Sequence, residues 1–396
     1  MIAQMTPEIK MKTSIMKRKD RIASDFNLET LYAAATSKDT PVFAISGAAI
    51  RRQFREIKKY LPTVNPHFAI KSLPQSEVIE TLRQENAYFD LASIGEIELV
   101  KSVGIAPEHC IFTHPFKTKS QIEQAIDFGI KTFVVDSESE LKKMEAYKGQ
   151  VQLFIRLSFP NEEAKCDLSS KFGIAPKKAL YLVLLAKNLG LKVIGTSFHV
   201  GSQTTNSEPF IKALEFCKKF YHQVKKYDIE FTTLNIGGGF PTQYDDQGFD
   251  LDEYFDPIHQ FLSQHFSEYE VISEPGRFIS APAGLLICKV IGKNHRNDKL
   301  CYYLNDGVYG IQSGRIFEKA DYPIFTPADI ENDIEQLYPC TLYGPTCDCV
   351  DKIGDDIYLP ELALDDLLVM SDIGAYSIAS STNFNFLGKV HINFQA

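Results

Sequence analysis

A lysine, a triple glycine, a Glu-Pro-Gly-Arg stretch and a Cys-Asp-Cys stretch are the parts of this sequence best suited to chemistry. Lys71 closes the apolar run HFAIK (67–71) and is followed by Ser-Leu-Pro. Most lysines in such a place keep the ammonium in solvent. A lysine facing a phosphate site at the mouth of a barrel can instead condense with a carbonyl as a Schiff base. Gly237, Gly238 and Gly239 end the run TTLNIGGG (232–239), and their amides can approach a phosphate with no side chain in the way. Arg277, in EPGR, adds a charged donor for the same group. Glu274 in that stretch is a carboxylate able to keep a pyridine nitrogen protonated. His199, in SFHVGS, could lie against a flat ring, although taken alone it reads equally well as a satisfied structural histidine. A reactive lysine, a phosphate cradle and a carboxylate for a pyridine nitrogen point together to pyridoxal 5′-phosphate.

The segment YGPTCDCVD (343–351) leaves more choices open. Cys347 and Cys349 flank Asp348, and a metal site, a redox pair, a catalytic thiol or a packed thiol could each look like this. The chain has eight cysteines and no CxxC, and no histidine follows the CxC at ligand spacing. No metal is therefore expected. Most of the thiols read as ordinary core residues.

The elements that must position these residues follow from periodicity. Short apolar runs alternate with helical patterns from about residue 67 to 276. The runs HFAIK, YFDLAS, CIFTHP and TFVVDS begin at 67, 88, 110 and 132, about 22 residues apart, one strand–helix unit each. QLFIRLS (152–158), VIGTSFHVGS (193–202), TTLNIGGG and EVISEPG (270–276) continue the series. Helical patterns such as GEIELVKSVG and SQIEQAIDFG fill the gaps. Eight such alternations predict a (β/α)8 barrel, with a doubly wound sheet as the structural alternative. In a barrel the chemistry sits at the carboxyl ends of the strands. Lys71, Asp90, Arg156, His199, Ser202, the three glycines, Glu274 and Arg277 all fall there.

After residue 279 the helical period fades, and GLLICKVIGK, LCYYLND, PCTLYGP, DLLVMS and YSIASS predict an all-β domain. The expected organisation is an N-terminal arm at 1–42 contributing to the β domain, a barrel at 43–279 and the β domain at 280–396. The formal net charge of −9 argues against nucleic acid. No apolar run approaches the ~18 residues of a membrane span, and the basic MKTSIMKRKDR lacks a signal-peptide core, so a cytoplasmic protein is expected.

With these motifs in order, the sequence resembles the fold-type III, pyridoxal phosphate-dependent decarboxylases of basic amino acids, the ornithine decarboxylase group. The resemblance runs from about residue 40 to the C-terminus and is carried by FAIKS, FDLASIGEI, SKFG, SFHVGSQ, IGGGFP, EPGRF, NDGVYG, YGPTCDCVDKI and DIGAYS. It implies an alanine racemase-like barrel with a C-terminal β domain and pyridoxal 5′-phosphate on Lys71. It also implies Glu274 on the pyridine nitrogen and His199 on the ring. Ser202, Gly238, Gly239, Gly276, Arg277 and Tyr376 would bind the phosphate, and Asp90, Glu96 and Arg156 would organise the pocket. Cys347 matches the catalytic proton donor. Asp348 matches the reader of the substrate's distal amine, and Tyr309, Phe317 and Glu318 are further substrate-binding candidates. The implied assembly is a head-to-tail homodimer in which Cys347 and Asp348 serve the other subunit's barrel, and Lys171 and Asp351 tie the two subunits together. Cys349 is expected to be a packed thiol facing away.

One stretch departs from the family pattern. Phe317 and Glu318 stand where a Tyr-Asp pair is usual, with Asp321 as a competing acid. The expected reaction is decarboxylation of L-ornithine to putrescine, in polyamine biosynthesis, with lysine or arginine as the alternative substrate. A diaminopimelate decarboxylase, a racemase or an inactive regulatory homologue fits less well, because Asp348 favours a distal amine and the named cofactor ligands are present.

Overall fold

A computed structural model describes residues 18–244, 249–296, 299–331 and 336–396. The start of the basic N-terminal stretch lies outside them. Two compact units divide the chain. Of the described residues, one takes 51–241 and 249–279; the other takes 18–50, 242–244 and those from 280 to 396.

The first unit is a closed parallel barrel of eight strands: β2 (Val64–Ala69), β3 (Tyr88–Leu91), β4 (Cys110–Phe112), β5 (Thr132–Val135), β6 (Gln152–Ser158), β7 (Lys192–His199), β8 (Thr233–Asn235) and β9 (Glu270–Ser273). All eight fall on the runs read from the sequence. The helices between them start and stop on local signals. Thr118 and Gln121 form a reciprocal capping box at the start of helix Lys119–Phe128, and Gly129, at φ 111°, ends it. Ser93 caps helix Ile94–Ser102 by accepting the Glu96 amide.

Inside the barrel, Ile111, Val134, Phe154, Ile194 and Ile272 form one apolar cluster drawn from five strands. Strand side chains alternate between faces, so the next inward position lies two residues on. On four of these strands that position is Arg156, within β6, and Thr113, Asp136 and Glu274, each one residue past the end of β4, β5 and β9. An apolar floor therefore carries a polar layer at the carboxyl ends. A register shift between β6 and β7 opposite Leu153–Phe154 sets Ser197 against Arg156 and His199 against Ser158.

The second unit is a β sheet. β1 (Val42–Ser46) pairs antiparallel with β10 (Gly284–Arg296) and parallel with β16 (His391–Gln395). The main path runs β12 (Ile324–Phe325), β15 (Leu367–Ser371), β10, β11 (Lys299–Leu304), β13 (Tyr338–Tyr343) and β14 (Lys352–Leu359). Three features differ from the sequence reading. The run VFAIS (42–46) is wholly buried and hydrogen-bonded into this sheet, so the barrel unit begins after residue 50 rather than at 43. The predicted strand YSIASS is a chain of turns: the amides of Ser380 and Ser381 both donate to the Ser377 carbonyl, and the Ser380 hydroxyl bonds the Tyr376 carbonyl. Serine hydroxyls here compete with a ladder for the backbone. β14 and β16 were not anticipated, because KIGDDIYL and HINFQ mix polar and apolar residues without a clear period. Among the described residues, no helix is long and apolar enough to cross a membrane.

Candidate active site

The barrel mouth gathers most of the residues singled out above. Lys71 lies not in β2 but in the single turn Ile70–Ser72 that follows it. Its ammonium donates to Asp90 Oδ2 at 2.5 Å. Asp90 is completely buried, and its other oxygen accepts from the Thr113 hydroxyl. Two partners on two oxygens fix this carboxylate and, through it, the lysine amine. Glu96 Oε2 accepts the Ala92 amide at 2.5 Å, and burial holds its carboxyl above the usual range.

One strand over from Lys71, just past the end of β9, which pairs with β2, Glu274 accepts from Asn235 Nδ2 at 2.6 Å. Burial first, and then the Asp90 charge, push its carboxyl up to about 7; Lys71, Asn235 and Arg156 pull the other way. Among the described residues Asn235 is the one donor that reaches this carboxylate. Asn235 Oδ1 also accepts the Gly237 amide at 2.8 Å, so one buried amide side chain sets both the carboxylate and the start of the glycine turn. Burial lowers the Arg156 guanidinium, against the charges of Glu274, Asp136 and Asp90. Its guanidinium sits 5.1 Å from the centre of the Phe172 ring.

His199 Nδ1 accepts the Gly201 amide at 3.0 Å, which leaves the ring proton on Nε2. Burial, Arg156 and Lys71 lower its pKa to about 3, so the ring is neutral. The glycine turn packs against it. Gly237 and Gly239 have φ of 65° and 110°, which only glycine adopts readily. A Cβ on Gly238 would stand 2.6 Å from the Glu274 carbonyl oxygen and 3.2 Å from His199 Nε2. Among the described residues no acceptor takes the Gly238 or Gly239 amide. Arg277 is buried at the start of the short helix Arg277–Ser280, and Nη2 donates to Ser202 Oγ at 3.2 Å. Gly276 precedes it.

Asn235 and Thr113 were missed by the sequence reading. Each is a polar residue directly after apolar strand residues, Leu234 before Asn235 and Ile111–Phe112 before Thr113, and that interruption was the available signal.

The β unit holds the remaining candidates. Tyr309 donates its hydroxyl to Asp348 Oδ2 at 2.6 Å. That bond and the Val350 amide hold the Asp348 carboxyl below its ordinary value. Cys347 and Cys349 are both exposed, which corrects the reading of Cys349 as packed. The Asp351 amide closes a turn on the Asp348 carbonyl at 3.1 Å, and an irregular turn leaves neither thiol facing a core. Asp351 is buried and accepts the amides of Val308 and Thr346, each at 2.9 Å, so within its own chain it organises this turn. Phe317 ends the short helix Gly314–Phe317 with its ring exposed, and Glu318 follows, half-buried. Asp321 pairs with Arg315 at 3.3 Å. Tyr376 has a φ of 53°, uncommon for a bulky residue and most frequent at functional sites.

Residues 47–281 match the family described as pyridoxal-dependent decarboxylase, pyridoxal binding domain. Antizyme inhibitor 2 of Xenopus laevis is 34% identical over 381 residues, 92% of this chain and 83% of that protein. The ornithine decarboxylase of Rattus norvegicus is 32% identical over 391 residues, 94% and 84% of the two chains. The crystal structure of a lysine/ornithine decarboxylase from Vibrio vulnificus, complexed with cadaverine, is similar with a TM-score of 0.86 at 40% identity, covering 92% of this chain and 95% of that one.

Proposed function

This chain belongs to the pyridoxal phosphate-dependent decarboxylases of basic amino acids, and from that premise we propose that it converts L-ornithine to putrescine and carbon dioxide. The barrel mouth suits the cofactor. The space at Gly238 would be filled by a single methyl group, and among the described residues two glycine amides have no acceptor and the Glu274 carboxylate has one neutral donor. Pyridoxal phosphate, when bound, supplies a conjugated ring that takes up the electron pair left by the departing carboxylate. Lys71 would hold it through the side-chain amine, steered by Asp90. Gly238, Gly239, Ser202, Gly276 and Arg277, with Tyr376, would take its phosphate. Glu274 would keep the ring nitrogen protonated, and the neutral His199 adds no competing charge. Cys347 would return a proton to the substrate α-carbon.

The observation that carries the substrate class is the Tyr309–Asp348 bond. It keeps ionised a carboxylate next to the candidate proton donor, and such a carboxylate pairs strongly with a distal ammonium. Cys347 and Asp348 sit on a turn open to a second chain. That supports a homodimer in which Cys347 and Asp348 of one subunit serve the barrel of the other. Glu318 favours a second reading, lysine or arginine. Asp321 is engaged by Arg315, and a glutamate shifts the distal anchor by roughly the ~1.5 Å of one carbon–carbon bond. A guanidinium in particular suits a bidentate carboxylate.

Steady-state kinetics with ornithine, lysine, arginine and diaminopimelate, following carbon dioxide and amine together, separate these readings. Ornithine should have the highest kcat/KM. A lead for lysine or arginine replaces ornithine with the second reading, and a preference for diaminopimelate ends both.

A further inference from the structure

We infer that Asn385 is a positioning residue for Cys347, an inference that rests on the reading of Cys347 as proton donor. Asn385 Oδ1 accepts the Cys347 amide at 3.2 Å, joining segment 382–388 to the turn that carries the thiol. The backbone there is unusual. Asn385 and Phe386 have φ of 53° and 59°, two left-handed residues in succession. Asparagine tolerates that region; phenylalanine does not, and the Phe386 ring is 83% exposed, so packing does not compensate it. Strain of this kind persists where the surrounding structure demands it. Here the strained turn carries the residue whose carboxamide meets the Cys347 amide.

The other end of the same segment is anchored on Tyr309. The Thr382 amide and hydroxyl both donate to the Tyr309 carbonyl, at 2.8 and 3.0 Å, and the Phe384 ring stacks on the Tyr309 ring with centroids 4.6 Å apart. Tyr309 in turn holds Asp348. One strained segment thus supports the acid through Tyr309 and the thiol through Asn385. The thiol needs that support. A proton must reach the substrate α-carbon and not the cofactor carbon, a choice that requires placement to within about 0.5 Å, and the thiol itself is exposed on its turn.

The test compares Asn385→Gly, which keeps the left-handed backbone and removes the acceptor, with Asn385→Asp, which keeps both, in the holoenzyme. Asn385→Gly should lower kcat for amine formation about three- to tenfold with KM little changed, the size of one lost backbone hydrogen bond. The fraction of turnover ending in amino-transfer by-product should rise. Alkylation of Cys347 by iodoacetamide, read against Cys349 by peptide mass, should rise about threefold or more. Asn385→Asp should restore the wild-type product ratio. A wild-type product ratio together with a wild-type alkylation ratio in Asn385→Gly overturns the inference. If Asn385→Gly does not assemble, Asn385→Ser, which shortens the acceptor, is read in the same way. Cys347→Ala distinguishes the two levels: if its product ratio is unchanged, the proton-donor reading fails; if it changes while Asn385→Gly does not, only the role of Asn385 fails.

Discussion

Glu274 concentrates the electrostatics of the barrel mouth. It is a carboxyl with one neutral donor, near the Asp90 charge and removed from much of the solvent, and its value of about 7 reflects burial first. A carboxyl raised in this way keeps its proton where the unfolded chain, at its ordinary 4.5, has lost it. Its contribution to apoprotein stability is therefore complete below about 4.5 and is lost as pH rises through about 7. Relative to Glu274→Gln, the wild-type apoprotein should lose melting temperature across that window, and a difference that stays constant with pH would contradict the assignment. With Glu274 on the ring nitrogen as proposed, the same substitution in the holoenzyme would remove a charge-assisted hydrogen bond worth about 1.5–3 kcal/mol, so kcat/KM should fall roughly 10- to 100-fold. At this scale the sequence was legible where a residue type announces its chemistry, as with Lys71, Glu274 and Arg277. It was not legible for Asn235 and Thr113. Their role is to hold another side chain, and nothing in a lone amide or hydroxyl within a strand says which neighbour it will meet.

The elements were legible in proportion to how completely they are buried. Strands β2 to β9 lie between helices and a filled interior, so they read as continuous apolar runs at regular spacing. Their carboxyl ends then placed Asp90, Arg156 and His199 in one layer before any contact was known. The β unit was harder to read. VFAIS is as apolar as a barrel strand, and sequence cannot say which sheet it joins; KIGDDIYL has an exposed face that hides its period. The glycine turn is the element on which the site depends most. A methyl group at Gly238 forces overpacking between the Glu274 carbonyl and His199, for which about 1–3 kcal/mol is typical. Gly238→Ala should therefore weaken pyridoxal phosphate binding about 5- to 100-fold in an equilibrium titration. An unchanged dissociation constant would remove this turn from the cofactor site.

For the whole molecule, the two units divide the chemistry. Lys71, Asp90, His199, Glu274 and Arg277 belong to the barrel; Tyr309, Cys347, Asp348 and Asn385 belong to the β unit. Lys71, Glu274 and Arg277 were singled out in FAIKS and EPGR, and Cys347 and Asp348 separately in YGPTCDCVD, whereas nothing in the sequence singled out Asn385. In the proposed homodimer a partner's residue would join them, and a chain read alone cannot display it. If one site takes Lys71 from one subunit and Cys347 from the other, two defective chains can complement. The most direct measurement mixes Lys71→Ala with Cys347→Ala subunits, lets them exchange, and follows carbon dioxide release. Lys71→Ala alone should be inactive and Cys347→Ala alone slow. Random reassortment makes half of the dimers mixed, each with one intact site of two, so the mixture should recover about a quarter of wild-type turnover. Wild-type turnover from Lys71→Ala alone, or no recovery when both variants remain dimeric and exchange freely, would contradict the account.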